Sequence, residues 1–302
     1  DVKGVVNVPI IEDKLGVKLF GAQVKSDGFV YNTTLNEDVG GDDVQNYGFA
    51  AKLQATDQFD IKLHYEKTKD ESDQGAYVNQ NVGTDNTCVF FNSCVTNTTD
   101  NENQNSSNTR NFSDNEYDTT ILTANYDFGN MVLTYIGAQR DMDEQNMQSF
   151  DASPADFLDM NYFNEWDQES HELRLTTNFD GPLNFVAGLY SFEVDYTQYW
   201  DVYHLHWTYN AILGFPLFPD VTAPTSAKTQ GQRQQTESAA AFVSADWAIN
   251  DRLTLTLGGR YTKEEKDFSG DNGSIGYTPA AGEPRPTGHA TWEKFAKWSE
   301  FT

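Results

Sequence analysis

The residues of this chain whose types and spacing could do chemistry are a histidine pair, two carboxylate-rich stretches and a cysteine pair. His204 and His206, in Tyr203-His-Leu-His-Trp207, point the same way if the backbone is extended, and two imidazoles so placed could hold a metal ion. No third ligand lies near them in sequence, so a polar pair on a loop or strand extension competes with that reading. His64, His171 and His289 are scattered. Asp141 to Gln168 holds eight carboxylates (Asp141, Asp143, Glu144, Asp151, Asp156, Asp159, Glu165, Asp167) without a Lys or Arg, and Ser26 to Val44 holds five, again without a base. Calcium takes such oxygens, yet no EF-hand spacing is present and plain solvation explains the acid as well. Cys88 and Cys94, in CVFFNSC, lie in an Asn/Thr/Asp-rich stretch. A disulfide between them would contribute roughly 2–2.5 kcal/mol by loop entropy and would imply an oxidising compartment. Two free thiols are the alternative, and two cysteines are too few for a structural zinc site.

There is no P-loop, GxSxG, HExxH or Rossmann glycine pattern, so neither an enzyme nor a cofactor or metal is expected. The best candidate for ligand contact is the aromatic segment Tyr199–Phe218, above all Tyr199, Trp200, Tyr203, His204, His206 and Trp207. Tyr and Trp give large, stiff, amphipathic contact area on which siderophores or sugars can stack. Anchoring at a membrane–water interface would explain the same residues.

The elements that must carry these residues show a period of two. Leu253, Leu255, Leu257, Gly259 and Tyr261 oppose Thr254, Thr256, Gly258, Arg260 and Thr262; Phe59, Ile61, Leu63 and Tyr65 oppose Asp60, Lys62, His64 and Glu66. Leu173 and Leu175 oppose Glu172 and Arg174, and Leu122, Ala124 and Tyr126 oppose Thr123, Asn125 and Asp127. One face is apolar and the other polar, which suits a wall between lipid and water and turns Arg174 and Arg260 toward the watery side. Leu183–Tyr196 is apolar on both faces for part of its length, which leaves its register open. Thr291–Phe301 is helical by pattern and a strand by its place in the series.

Connections alternate in length. Short ones fall at Pro9–Asp13, Ala55–Gln58, Asp127–Asn130, Asn178–Pro182 and Ile249–Arg252. Long ones fall at Ser26–Val44, Lys69–Asp114, Asp141–Gln168, Gln198–Gln234 and Lys266–Ala290. Compact soluble domains rarely carry structureless connections beyond about 12–15 residues, whereas membrane barrels pair short periplasmic turns with long extracellular loops. Aromatics gather at strand ends: Phe128, Phe179 and Trp247 on the turn side, Tyr199, Trp200, Tyr203 and Trp207 on the loop side.

Composition agrees. Mean hydropathy is low at -0.63 while aromatics reach 14%, the balance expected when only every second residue of a strand meets lipid. No run approaches the roughly 18–20 apolar residues of a spanning helix. A net charge of -26 repels phosphates and argues against nucleic acid partners. The N-terminus, Asp1-Val-Lys-Gly, has neither an initiator Met nor a signal peptide and reads as a beginning in mid-protein. Asn32, Asn97, Asn105 and Asn111 stand in N-x-[ST] patterns, incidental in a bacterial outer membrane.

The run Glu237-Ser-Ala-Ala-Ala-Phe-Val-Ser-Ala-Asp-Trp, then Asp251-Arg-Leu-Thr-Leu-Thr-Leu-Gly-Gly-Arg-Tyr-Thr-Lys-Glu, resembles the mid-barrel hairpin of TonB-dependent outer-membrane receptors. Asn7-Val-Pro-Ile-Ile-Glu-Asp-Lys-Leu-Gly-Val-Lys-Leu, followed by Asp27-Gly-Phe-Val-Tyr-Asn, is similar to the family's early hairpin, and Glu169-Ser-His-Glu-Leu-Arg-Leu to another strand. The resemblance implies an all-β fold, an antiparallel transmembrane barrel of 22 strands around an N-terminal plug. On that resemblance residues 1–302 supply about eleven of those strands, the second to the twelfth, as a partial barrel domain. On the same ground the plug, the TonB-contacting N-terminal region, the first strand and the closing half are expected to be missing from this sequence. It further implies a Gram-negative outer-membrane receptor, embedded in lipid, that takes up a scarce nutrient such as a ferric siderophore with energy from TonB. A passive porin and a secreted all-β glycan-binding or adhesion protein are the competing functions. Arg260 would pair with acids on the plug or on neighbouring strands, or stand solvated in the lumen.

Overall fold

The computed structural model describes residues 1–78, 102–215, 223, 228–275 and 291–302. Eleven strands form one antiparallel sheet in the order β1 (Val2–Ile11), β2 (Leu15–Lys25), β5 (Asp43–Thr56), β6 (Phe59–Asp70), β8 (Phe112–Asp127), β9 (Met131–Ser149), β10 (Asp159–Thr177), β11 (Leu183–Tyr203), β12 (Lys228–Asn250), β13 (Leu253–Ile275) and β14 (Thr291–Phe301). Each strand pairs with its successor in this series, so the sheet is a meander. Tight turns join the strands at one end, at the five places where short connections are expected. At the other end, β3 (Val30–Asn32), β4 (Glu37–Val39) and β7 (Gln104–Asn105) build a small second sheet, and a helix, α1 (Leu205–Leu213), follows β11.

Near the tight turns one face of the large sheet is almost wholly apolar. Leu19, Leu189, Leu257 and Trp247 on it are 51%, 60%, 64% and 50% exposed. Fully burying one leucine is worth about 1.5–3 kcal/mol, so a single-layer sheet that leaves whole rows bare needs lipid rather than water against this face. Aromatic rings edge the apolar band. Phe59 and Tyr126 (centroids 6.2 Å apart), Phe128, Phe185 and Trp247 lie toward the turns, and Tyr47, Tyr65, Tyr135 and Tyr261 lie on the far side. On β13 the band runs from Leu253 to Tyr261. With a rise of about 3.4 Å per residue and a tilt of about 40°, it stands about 20 Å tall, near the roughly 25 Å of a membrane barrel.

The register carries that tilt. One cross-strand row on the apolar face runs Leu19, Phe49, Tyr65, Thr120, Gln139, Glu169, Glu193, Glu237, Glu265, Lys297. It begins within the band and leaves it for a charged zone. A row perpendicular to the strands climbs out of the membrane in this way only if the strands are inclined to its normal, as in a sheared barrel.

Several expectations need correcting. Strands run well into the long connections: Asp141–Gln168 is mostly β9 and β10, and only residues 150–158 join them. Within Gln198–Gln234, β11 continues to Tyr203 and β12 begins at Lys228; β13 extends to Ile275. Beyond the bilayer both faces meet water, so the apolar–polar alternation that marks a strand fades while the backbone ladder continues. The loop-side aromatic edge is therefore the tyrosine set above, and Tyr199 and Tyr203 stand further out along β11. Thr291–Phe301 is a strand, as its place in the series predicts. The ambiguous register of Leu183–Tyr196 is fixed by pairing, with Phe185, Ala187 and Leu189 on the apolar face. Gly188 on the opposite face has no side chain because the Phe242 ring lies over it, where a Cβ would collide.

Candidate functional site

The residues expected to form one ligand-contacting group are not brought together. Successive β11 residues face opposite ways, so Tyr199 and Tyr203 share the side of the apolar band and Trp200 stands on the reverse. Tyr199 stacks on Phe163, with centroids 4.5 Å apart and planes at 15°. The chain is not extended at the histidines. His204 adopts φ +67° as the N-cap of α1, and His206 and Trp207 lie within that helix. His204 instead reaches back to β10, its Nε2 3.6 Å from Asp159 Oδ2. The side chain of His206 lies outside the described residues, as do Cys88, Cys94, Asn97 and His289. Among the described residues no three His, Cys, Asp or Glu side chains are spaced to hold a metal.

Arg174 and Arg260 both stand on the face opposite the leucines, in one row through Gly188 and Phe242. Arg174 meets Glu172 on its own strand at 3.3 Å. Arg260 packs its guanidinium over Tyr190 and Phe242, 5.5 and 5.9 Å from the ring centroids, and donates to Thr262 at 3.0 Å. Stacking on two rings orients a cation without neutralising it.

The feature sequence reasoning missed lies higher on this same face. Glu144, Asn164, Gln198 and Gln232 form one cross-strand row over β9 to β12. Their side chains bond in sequence: Gln232 Nε2 donates to Gln198 Oε1 (3.0 Å), Gln198 Nε2 to Asn164 Oδ1 (2.9 Å), and Asn164 Nδ2 to Glu144 Oε2 (2.8 Å). The Tyr117 hydroxyl donates to the other Glu144 oxygen and the Tyr196 hydroxyl to Asn164. Every amide in the row donates toward β9, so the dipoles align and reinforce one another. In the next row Trp166 and Tyr196 form a ring pair with centroids 5.4 Å apart. Nothing local in the sequence marks this set, because each amide meets its partner 20 or 34 residues away.

The long-connection end is tied together by polar side chains. Asn32 is 1% exposed; it donates to Ser107 O and accepts from the Thr34 and Leu35 amides. Asn111 likewise donates to Gly75 O and accepts from the Ser149 amide. Asn105 is 2% exposed. These three sequon asparagines are buried, and Asn32 and Asn111 are held by hydrogen bonds. Arg110 reaches Asp73 at 3.0 Å and Glu37 at 3.2 Å, and Asp73, followed by Glu37, raises the guanidinium pKa above its usual range. In the β9–β10 turn Asp151 accepts from Ser153 N, Ser153 Oγ and Leu158 N, yet burial pushes its carboxyl pKa up despite those bonds.

A tilted meander with an aromatic-edged apolar belt on one face and a polar wall on the other is a segment of a membrane-spanning β-barrel. The chain belongs to the TonB-dependent receptor family, whose model "TonB dependent receptor-like, beta-barrel" matches residues 47–299. Among solved structures it is similar to the ferric yersiniabactin uptake receptor FyuA from Yersinia pestis, at 17% identity and TM-score 0.71, covering 99% of this chain and 40% of that one. The siderophore receptor PiuA from Acinetobacter baumannii gives 11% identity and TM-score 0.61, covering 99% and 43%. The closed form of the ferric-catecholate import receptor Fiu from E. coli K12 gives 11% and 0.60, covering 99% and 45%. The chain thus spans less than half the length of these receptors. No curated protein matches it in sequence. Barrels of this family reside in the Gram-negative outer membrane, so the leucine face is the outward one and the amide row faces inward.

Proposed function

We propose that residues 1–302 form part of the wall of a larger closed barrel that takes up a scarce nutrient, such as a ferric siderophore, with energy relayed through TonB. The observation that carries this reading is the combination of a lipid-facing belt with an inner wall whose paired strands continue well beyond the membrane. Such extensions provide a vestibule above the bilayer, where a receptor meets cargo before it passes inward. That FyuA, PiuA and Fiu import or bind iron chelates supports the choice of cargo class. Pairing partners for the outer edges of β1 and β14 would come from further strands, since lipid cannot satisfy a bare strand edge. TonB would act through a region preceding the barrel.

In this role Arg174 and Arg260 line the lumen and orient charge toward whatever occupies it. Trp200 keeps a place on the cargo side, while Tyr199 and Tyr203 belong to the outer surface. No chemistry on the cargo is proposed, in keeping with a family of transport receptors. The secreted glycan-binding alternative fails on the exposed leucine belt and on the buried sequons.

The test is uptake by cells expressing the complete receptor, with and without TonB, under iron limitation. Accumulation of labelled ferric chelate that requires both receptor and TonB is expected. Accumulation that is unchanged without TonB would replace this reading with a passive porin.

A further inference from the structure

The chain has a net charge of -26, yet the outer part of its inner wall over β8–β12 carries little charge; the inward-facing Glu66, Arg140, Glu264 and Lys266 lie nearer the membrane. From the Trp166 row outward, the described side chains of β8–β12 on the inner face include one charged group, Glu144. On the outer face of the same strands stand Glu116, Asp143 and Glu165 in one row of that stretch, and Asp118, Asp141, Asp167 and Asp195 in the row just on its membrane side, with Arg233 paired to Asp195. Both oxygens of Glu144 are already engaged, one by Tyr117 and one by Asn164. What this wall presents is therefore carboxamide, hydroxyl and aromatic surface.

We infer that the row Glu144–Asn164–Gln198–Gln232, with the Trp166–Tyr196 pair beside it, contacts cargo and selects an uncharged ligand rich in hydroxyl or amide groups. The inference rests on the uptake reading above and names its cargo class. A carboxamide has two N–H donors and two carbonyl lone pairs. Gln198 uses one of each within the row, so one donor and one acceptor remain to face a ligand that carries both kinds of group. Asn164 uses both lone pairs and keeps one donor. The row holds these groups in fixed positions, so little order is lost on binding. The two rings offer an adjoining face for the apolar side of the same ligand. An anionic chelate would find no cation among the described side chains of this stretch, Arg140 lying one inner row nearer the membrane, and would face the Glu144 carboxylate; an uncharged ligand meets neither problem. This chemistry is shared by neutral iron chelates and by oligosaccharides.

Calorimetric titration of the complete receptor in detergent tests the inference with three probes: a neutral ferric trihydroxamate, maltoheptaose and anionic ferric citrate. One uncharged probe should bind, and ferric citrate should bind more weakly than that probe. Which uncharged probe binds distinguishes the two sources. The double variant Asn164→Leu/Gln198→Leu should weaken that probe by about tenfold or more, since each lost hydrogen bond is worth about 0.5–1.5 kcal/mol. The outer-face control Thr197→Ala should leave it unchanged. If the double variant fails to fold, Gln198→Glu supplies the readout, because it keeps the volume and adds a charge that should weaken the uncharged probe likewise. The inference is overturned if ferric citrate binds tightest, if neither uncharged probe binds, or if a folded variant binds the uncharged probe as well as the parent. TonB-dependent uptake of ferric citrate, unaltered in the double variant, would remove this inference and leave the uptake reading intact. Loss of TonB dependence for every probe would remove the uptake reading, and the titration would still report on the row.

Discussion

Above the bilayer, the two faces of β9–β13 solve the same problem in opposite ways. On the outer face Glu169, Glu193, Glu237 and Glu265 stand directly opposite one another on four consecutive strands. Like charges so placed are destabilising; the flanking bases, Lys263 and Lys297, both reach Glu265, while among the described residues Glu169 meets only the His171 ring and Glu193 only the Gln235 amide. On the inner face, Glu144, Asn164, Gln198 and Gln232 occupy four consecutive strands and each bonds to the next. Backbone pairing is the same in both rows, so the ladder does not decide their chemistry. Solvation does: an outer surface bathed in water tolerates repulsion in return for solubility, while the inner row links its polar groups to one another and fixes them in place.

The comparison breaks most severely within the bilayer. Leu257 lies midway along the apolar band of β13, and its neighbour Thr256 faces inward, donating to Asp246 on β12. In the complete receptor, Leu257→Lys should cost about 2–4 kcal/mol, the penalty for a cation at mid-membrane on a barrel's lipid face. Thr256→Lys should cost far less, because that side chain meets water. Urea titration in liposomes measures both. Equal costs would mean that the faces are wrongly assigned. Next in size is Asn164→Leu, which deprives Glu144, Tyr196 and Gln198 of a shared partner. Leaving half-buried polar groups unmatched should cost about 1–3 kcal/mol. The same change at Thr197, one row nearer the membrane on the outer face, should be near neutral.

How far the sequence could be read follows the same division. Where lipid bathes one side, alternation is sharp: Leu253, Leu255 and Leu257 on β13 and Phe59, Ile61 and Leu63 on β6 fall on the predicted face. The tight turns fall where expected for the same reason, since each strand is interrupted as it leaves the membrane. Beyond the bilayer the signal disappears. Asp141–Gln168 looks like an acidic loop because both faces of β9 and β10 are polar there, and only pairing shows them to be strands. The amide row was hidden because its members come together only through register. The aromatic group at Tyr199–Trp207 was over-read as a unit. Alternation already separates Trp200 from Tyr199 and Tyr203, and the turn into α1 at His204 abolishes the extended geometry that would pair His204 with His206.

Smaller effects sharpen the contrast in electrostatics. Glu193→Gln removes the middle of the outer glutamate row and should stabilise the barrel by about 0.2–1 kcal/mol, the range for cross-strand pairs. The gain should shrink as salt rises, since exposed charges are screened within about 10 Å at 0.1 M. A loss of stability at low salt would show that the row is held by something other than solvent. The smallest effect is expected at Asp151, where the cause is opposite. Its carboxylate faces donors rather than like charges, but the β9–β10 turn withholds water, and burial raises its pKa above the ordinary 3.8. A carboxyl with a raised folded-state pKa binds more protons folded than unfolded, so stability falls as pH rises from the unfolded value through the folded one. Below 3.8 the difference vanishes, and above the folded pKa the penalty is constant. Asp151→Asn should remove that slope while keeping an acceptor oxygen for one of the two amides, Leu158 or Ser153, that the carboxylate serves. A carbon-detected titration that places Asp151 at or below 3.8 would show that its three hydrogen bonds outweigh burial, and that this turn, like the inner row, is governed by satisfied partners rather than by lost solvent.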